Sequence, residues 1–249
     1  MWMIVQSVLL IATGYLLGSV SATYLVGRWL GGKDLREYGS GTLGGSMVYE
    51  HVGRWAVVPV VVWDVGKAAL PTWLGLWLGL GETVAAAAGL AAAIGHNWSV
   101  FLRFAGGRGM GTFAGVWLIL FPPGVLWMTT LLGIGWRLGD SAPWLLVSLL
   151  TMPLLAHFLG GPKVLGPFLL GGPVLVASIT GMMTLITLAK RLEGNQRPLP
   201  PHGPERTKVI LRRLFLDRDI ASHEEWIRRE PHRENEELRA LWRDESGDA

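Results

Sequence analysis

Six long apolar segments separated by short polar loops dominate the first 189 residues of the chain. A bilayer core about 30 Å thick is spanned by roughly 20 apolar residues in an α-helix, and each segment is long enough or nearly so. Tryptophan and tyrosine cluster near many segment ends, as side chains at the membrane interface do. We therefore predict an all-α, polytopic membrane protein with apolar segments at about 3–28, 55–79, 83–103, 110–136, 142–160 and 164–189.

The charged residues are concentrated near the C-terminus. Residues 190–249 carry 13 of the 22 basic and 13 of the 19 acidic residues. This distribution predicts a transmembrane domain over 1–195 and a polar, helical tail over 196–249, in which "TKVILRRLFL" forms an amphipathic helix on the membrane surface. Because there is no basic block, a nucleic-acid partner is not expected. The absence of cysteine excludes disulfides and thiolate chemistry.

The basic residues of the loops predict the orientation in the cell membrane. The loop 29–54 and the turn 103–109 are rich in Lys and Arg, as cytoplasmic loops are, whereas the turn around Glu82 has no basic residue. This places the N-terminus outside. The basic start of the tail indicates a cytoplasmic C-terminus, which requires an odd number of crossings. We predict seven, with three short or tilted passes in 142–189, where Pro and Gly interrupt the apolar sequence. The first segment lacks the basic start of a signal peptide and is expected to remain as a span.

Two glycine-rich stretches stand next to apolar segments on the predicted cytoplasmic face. In "GSGTLGGS", Gly39 and Gly41 allow backbone amides to converge on an anion, and Ser40, Thr42 and Ser46 add hydroxyl groups. A close-packing loop of small residues would have the same composition. The pattern therefore indicates an anion site, with close packing as the alternative.

The second stretch, "GHNWSVFLRFAGGRGMGT", places a cation among glycines directly before an apolar helix. Gly106, Gly107 and Gly109 surround Arg108, and Thr112 follows. Free amides at a helix start, the positive end of the helix dipole and a fixed cation together favour phosphate binding. The stretch lacks the spacing and the terminal Lys-Ser/Thr of a Walker motif. A positively charged cytoplasmic loop made flexible by glycine is the alternative.

A few ionisable residues lie inside or at the end of apolar segments. Asp64 and Lys67 are three residues apart and share a helix face, and His96 and Asn97 end the third segment. A charge at membrane depth is costly and is usually paired or functional. The pair either lines a site or neutralises itself and fixes helix packing, and His96 is either a structural residue or a base.

Several common kinds of catalytic site are excluded by the sequence. The six histidines are scattered without acidic neighbours at metal-ligand spacing, and there is no G-x-S-x-G. No histidine is separated from an aspartate by four residues in an H-x4-D pair, which disfavours an acyltransferase that uses a histidine base with an acidic partner.

The chain resembles the bacterial integral-membrane, acyl-phosphate-dependent glycerol-3-phosphate acyltransferase family (PlsY type). The resemblance covers roughly residues 8–196. It rests on the order and spacing of "GYLLGSVSATYLVGR", "GSGTLGGSMV", "WDVGKAALP" and "GHNWSVFLRFAGGRGMGT", followed by Arg191 and Asn195 in "RLEGN". It implies a seven-helix fold and transfer of a fatty acyl group from acyl phosphate to glycerol 3-phosphate, giving lysophosphatidic acid and phosphate. It implies no cofactor, and a substrate phosphate would act as the base.

The chain departs from the usual family pattern "GSGNxGATNVLR". Thr42, Ser46, Met47 and Glu50 replace Asn, Thr, Asn and Arg, and Arg108 replaces a Lys. The changes at Met47 and Glu50 remove an amide and reverse a charge near the expected phosphate. An altered acceptor or a loss of catalysis is therefore one alternative. A transporter for an anionic phosphorylated solute, which broken helices and an intramembrane charge pair would also suit, is another.

The glycine stretches and the resemblance together predict the site. The predicted catalytic residues are Ser40, Lys67, His96, Arg108 and Asn195. The predicted phosphate-binding residues are Gly39, Gly41, Ser46, Gly106, Gly107, Gly109, Thr112, Ser141 and Arg191.

Overall fold

The fold is built from helices alone wherever the structure describes it. In a computed structural model of the chain, residues 1–39, 41–159, 172–194, 199–200 and 203–228 are described. These residues contain no strand, which confirms the predicted all-α fold. Their α-helices are α1 (Trp2–Ser19), α2 (Ala22–Leu30), α3 (Gly45–His51), α4 (Val57–Trp77), α5 (Glu82–Asn97), α6 (Met110–Leu120), α7 (Pro122–Arg137), α8 (Ala142–Leu159), α9 (Pro173–Glu193), α10 (Pro204–Leu216) and α11 (His223–Arg228).

Five stretches of the described chain are long and apolar enough to cross a membrane. They agree with five of the six predicted apolar segments, although residues 164–171 of the last segment lie outside the described residues. The five stretches are Trp2–Leu30, Arg54–Trp77, Glu82–Leu102, Ala142–Leu159 and Pro173–Glu193.

The outward faces of these helices are suited to lipid. On α8, Leu150, Leu154 and Phe158 are 65%, 59% and 74% exposed, while Leu149 and Met152 are buried. Side chains four residues apart lie on one face of a helix, so α8 has one face packed in the bundle and one apolar face directed outward.

The segment predicted at 110–136 is two helices instead of one. α6 ends at Leu120, and Phe121 leaves the helical conformation with φ −154° and ψ 72°. Pro122 and Pro123 follow and occupy the first turn of α7. Proline has no N–H to donate to the preceding turn but fits the first positions of a helix, so the pair ends α6 and begins α7.

The helices of the described residues do not decide the predicted number of membrane crossings. The extra break lies between α6 and α7, each of which is shorter than the five long stretches. The described parts of 142–189 form two helices, α8 and α9, and residues 160–171 lie outside the described residues. Seven crossings therefore remain a prediction.

The first apolar segment is also interrupted, contrary to the continuous helix predicted at 3–28. Val20 has φ −75° and ψ 110°, and the Ser21 side chain accepts a hydrogen bond from the Tyr24 amide at the start of α2. The break exposes carbonyl oxygens inside the bundle. The Val20 carbonyl accepts hydrogen bonds from Trp63 Nε1 at 3.0 Å and Lys67 Nζ at 3.2 Å. The freed backbone groups are thus satisfied by α4, as a break at membrane depth requires.

Small residues let the central helix α5 approach its neighbours closely. A Cβ on Gly18 of α1 would collide with the carbonyl of Ala92, and one on Gly95 would collide with the carbonyl of Tyr15. Backbone contact of this kind is how helices associate in lipid, where the hydrophobic effect between helices is absent. The contact fixes the end of α5, which carries His96 and Asn97 into the site region.

The tail does not stand apart from the helical bundle. α10 contacts α8 and α9, and the Arg213 guanidinium is buried, with its NH1 donating to the Leu192 carbonyl at 3.0 Å. Gly194 ends α9 in the left-handed region with φ 56°, directly against that guanidinium. The predicted amphipathic helix therefore forms and packs on the bundle. The domain boundary at 195 and the position of α10 on the membrane surface remain predictions.

Candidate active site

A cavity of about 670 Å³ opens between the bundle and the tail. Its walls come from α3, the start of α6, the turn between α7 and α8, the end of α9, and the segment after α10. The apolar part of the lining consists mainly of Met47, Val57, Trp136, Leu145, Leu216 and Trp226. The charged part consists of three arginines and three carboxylates, Arg108, Arg191, Arg218, Glu50, Asp140 and Asp217. The cavity therefore offers both an apolar wall and a group of fixed charges.

The two glycine-rich stretches, which the sequence predicts on the same membrane face, are in direct contact. The Leu43 amide of the first stretch donates to the Gly106 carbonyl of the second at 3.0 Å, and within the second stretch the Gly107 amide donates to the His96 carbonyl at 3.0 Å. A Cβ on Gly107 would collide with the His96 ring. At Gly106 and Gly107 glycine therefore serves close packing, which is the alternative that the sequence left open. Their packing fixes the backbone that carries Arg108.

Arg108 and Arg191 converge from different helices on one point of the cavity wall. Arg108 precedes α6 and donates from NH1 to the Lys190 carbonyl at 3.1 Å. Arg191 lies in the last turn of α9 and donates from NH2 to the Ala142 carbonyl at 2.6 Å. Backbone carbonyls thus hold both guanidinium groups in place without neutralising them. Two positioned guanidiniums form a suitable site for a phosphate or a carboxylate.

Asp217, from the tail, lies between these two arginines. Its Oδ2 is 2.9 Å from Arg108 Nε, and its Oδ1 is 3.9 Å from Arg191 Nε. The residue ends α10 in the left-handed conformation, with φ 58° and ψ 30°. Burial raises the pKa of the Asp217 carboxyl, and the charges of Arg108 and Arg191 act in the opposite direction. The neighbouring Arg218 forms its own ion pair with Asp140, at 2.7 Å.

A second charged cluster is buried behind the loop that carries Arg108. Lys67 Nζ lies 2.8 Å from Asp64 Oδ1 and 2.9 Å from His96 Nδ1. An ammonium group has only donors, so Nδ1 of His96 accepts from Lys67 and the ring hydrogen of a neutral His96 is on Nε2. Together with the contact to the Val20 carbonyl, these bonds join α4, α5 and the break between α1 and α2.

The predicted site residues fall into three groups. Four of them line the cavity, namely Ser46, Arg108, Ser141 and Arg191. Others lie in or behind the two glycine stretches and are not among the lining residues, namely Gly39, Gly41, Lys67, His96, Gly106, Gly107, Gly109 and Thr112. Ser40 and Asn195 lie outside the described residues. Thr112 donates its hydroxyl hydrogen to the Gly109 carbonyl at 2.8 Å, and Ser141 donates to the Leu132 carbonyl at 3.3 Å.

The structure adds cavity residues that sequence reasoning did not select. Trp136, Asp140, Asp217, Arg218 and Trp226 all line the cavity. For Asp140 the signal was its position next to the predicted Ser141, and for the three residues after α10 it was a dense charge pattern that gives no indication of what it contacts. Met47 and Glu50, which were noted as departures from the family pattern, also line the cavity.

A family model described as glycerol-3-phosphate acyltransferase matches residues 8–197 of the chain. The chain belongs to this family. Glycerol-3-phosphate acyltransferase 4 of Dehalococcoides mccartyi (strain CBDB1) is 34% identical over 222 residues, which cover 89% of this chain and 93% of the relative. That similarity is longer than the matched range and reaches into the tail. A Pseudomonas aeruginosa glycerol-3-phosphate acyltransferase is 39% identical over 150 residues, covering 59% of this chain and 79% of the relative.

Two solved structures share the fold. One is PlsY (YgiH), an integral membrane glycerol 3-phosphate acyltransferase, in its glycerol 3-phosphate form, with a TM-score of 0.63 and 24% identity over 77% of this chain and 91% of that chain. The other is its lysophosphatidic acid form, with a TM-score of 0.61 and 22% identity over the same shares. With its five long apolar helical stretches among the described residues, the chain is a multi-pass membrane protein of this family.

Proposed function

We propose that this protein transfers a fatty acyl group from acyl phosphate to glycerol 3-phosphate, producing lysophosphatidic acid and inorganic phosphate. Family membership supports acyl transfer to glycerol 3-phosphate, since the matched family and its curated members carry that name. The observation that carries the proposal for this chain is the pairing of Arg108 with Arg191 at one wall of a cavity whose other walls are largely apolar. Such a cavity suits a reactant with a phosphate at one end and a hydrocarbon chain at the other.

The reaction needs positioning more than it needs a protein nucleophile. The acceptor hydroxyl oxygen attacks the carbonyl carbon of the acyl phosphate, and the new C–O bond forms. The bond from that carbon to the phosphate oxygen then breaks, and the hydroxyl proton passes to a phosphate oxygen. Acyl phosphate is a mixed anhydride with a good leaving group, so fixed cations and correct orientation can supply the catalysis.

The residues divide between phosphate binding and support. Arg108 and Arg191 bind phosphate oxygens, and the Ser46 hydroxyl, at the cavity wall, donates to a reactant. Ser141 also lines the cavity, and its hydroxyl would have to release the Leu132 carbonyl before it could donate to a reactant. Ser40 and Asn195 complete the predicted set.

Lys67 and His96 remain predicted catalytic residues. The contacts described above support a role in positioning the Arg108 loop, because the His96 carbonyl accepts from the Gly107 amide. The cavity is proposed to lie at the cytoplasmic face, with the N-terminus outside and the tail inside.

Replacing Arg108 tests the proposal. In Arg108→Gln, we expect phosphate release from palmitoyl phosphate with glycerol 3-phosphate to fall by about 100-fold or more, as for loss of one preorganised charge at a developing anion. Arg103→Gln is the matched control, since Arg103 lies in the same loop but is exposed and does not line the cavity.

Acyl-CoA and acyl-carrier protein are assayed in parallel as donors. Full activity of Arg108→Gln would refute the assigned phosphate site. If neither the wild type nor Arg103→Gln releases phosphate, and the protein instead takes up solute into liposomes, the result would support a transporter.

A further inference from the structure

The segment after α10 places a carboxylate where the proposed function requires a phosphate. Asp217 reaches the cavity wall because it ends α10 in a left-handed conformation, which turns the chain back toward the bundle. Its two oxygens lie between Arg108 and Arg191, the two cations assigned to phosphate binding. A carboxylate and a phosphate are recognised by guanidinium groups through the same fork geometry. The same pair of arginines cannot hold both anions in full contact.

The carboxylate is an imperfect occupant of this site. Arg108 Nε approaches Asp217 Oδ2 at 2.9 Å without the alignment of a hydrogen bond, and the Arg191 contact is 3.9 Å long. Among the described residues, Asp217 Oδ1 is buried and has no hydrogen-bond partner. A buried acceptor without a partner is destabilising, so the contact is weaker than two guanidiniums could provide. A phosphate, with more oxygens, could engage both arginines.

The tail is held in place by contacts that do not involve Asp217. Arg213 forms an ion pair with Asp219 at 2.6 Å and donates to the Leu192 carbonyl, and Arg218 pairs with Asp140. Trp226 is buried as well. The Asp217 side chain could therefore leave the arginines while the tail stays docked, so exchange between the two anions needs only a local change.

We propose that Asp217 competes with the substrate phosphate for Arg108 and Arg191, and so sets the affinity of the site for phosphate. This inference rests on the proposed function. It makes the tail, which lies beyond the matched family range, part of the binding site. When phosphate binds, Asp217 leaves the arginine pair. A substrate phosphate therefore has to displace an internal anion, which lowers its apparent affinity but leaves the chemical step unchanged.

The test is the binding of inorganic phosphate to the purified full-length protein in detergent. In Asp217→Asn the competing charge is removed, and we expect the dissociation constant for phosphate to fall by about tenfold, as expected for loss of a contact between charged groups. The variant alone should have a lower melting temperature than the wild type, because two arginines are left uncompensated. The increase in its melting temperature at a fixed phosphate concentration should be larger than that of the wild type.

Two further variants separate competition from a structural role. Asp219→Asn is the matched control, with the same charge change two residues away and its ion pair on Arg213 instead of on the cavity arginines. It should lower the melting temperature without tightening phosphate binding. Asp217→Glu keeps the charge and should bind phosphate as weakly as the wild type. In activity assays, Asp217→Asn should lower KM for glycerol 3-phosphate with kcat changed much less.

A measurement on the wild type keeps the inference testable if Asp217→Asn does not fold. Phosphate should increase backbone hydrogen exchange locally at Asp217, within 214–219, because its side chain no longer contacts the arginines, while the Arg108 loop becomes more protected and the docked helix α10 stays unchanged. Unchanged phosphate affinity in a folded Asp217→Asn, or increased protection of 214–219 by phosphate, would overturn the inference. Either result leaves the proposed function intact, because that function depends on the Arg108→Gln assay. Tighter phosphate binding by Asp217→Asn in a protein without acyl transfer would support the inference alone.

Discussion

The buried pair of Asp64 and Lys67 provides the sharpest test of what holds the site together. The Lys67 side chain is fully buried and that of Asp64 is 9% exposed. Replacing one partner leaves a charge at membrane depth without its counter-ion, which costs about 3–5 kcal/mol when a buried pair is broken in this way. We therefore expect Lys67→Met and Asp64→Leu each to lower the free energy of unfolding by about 3–5 kcal/mol.

The double variant should be more stable than either single variant. With both charges gone, no uncompensated ion remains, and the Val20 carbonyl still accepts from Trp63 Nε1 at 3.0 Å. The main remaining cost is the loss of a donor to His96 Nδ1, and an unsatisfied buried acceptor costs about 1–3 kcal/mol. The double variant should therefore lose only about 1–3 kcal/mol, far less than the sum of the two single losses.

Equilibrium unfolding in mixed detergent micelles, followed by tryptophan fluorescence, measures these differences. Acyl transfer by the double variant then separates two roles of Lys67. Recovery of activity together with stability would indicate that Lys67 positions the loop, whereas recovered stability without activity would indicate contact with the reactants. Additive losses would refute the reasoning, because they would mean that the two charges do not compensate each other. Single variants that lose less than about 1 kcal/mol would refute it as well, because they would mean that the pair is not buried away from water.

Two further predictions concern the first glycine stretch and the loop before it. Asp34 is buried and accepts from Arg36 and Arg28, and these contacts, the Arg36 hydrogen bond above all, hold the pKa of its carboxyl below 3.8. Its ionised form therefore adds stability that is fully present above pH 3.8 and is lost as the pH falls through the lowered value. Asp34→Asn should be less stable than the wild type at neutral pH. Thermal unfolding in acid should show this difference beginning to shrink below pH 3.8 and disappearing as the pH falls through the lowered pKa of Asp34; a constant difference would contradict this. Restoring the family pattern with Met47→Asn and Glu50→Arg should raise kcat/KM for glycerol 3-phosphate by about tenfold, as one added charge contact at the cavity allows. No change would indicate that these two residues do not act on the acceptor.

The sequence by itself determined the helices and the chemistry available at one face. Apolar segments of about 20 residues have no stable alternative to helix in a bilayer, because every backbone polar group must be satisfied within the segment. The break between α6 and α7 was also readable in principle, since Pro122 and Pro123 follow Phe121 directly. The glycines around Arg108 and the order of the family motifs are patterns within the sequence itself. They can therefore be recognised without knowledge of the fold.

Only the tertiary structure decided which distant groups share the cavity. The break at Val20 follows Gly18 and Ser19 but has no proline, and it is stabilised by Trp63 and Lys67 from another helix, which no local pattern identifies. Asp217 resembles any solvated acidic residue in a charged tail until the left-handed end of α10 brings it between Arg108 and Arg191. Contacts of this kind depend on how helices pack, and no residue type or short-range spacing encodes the partner. The composition of the tail therefore indicated a solvated segment, while packing made part of it a wall of the site.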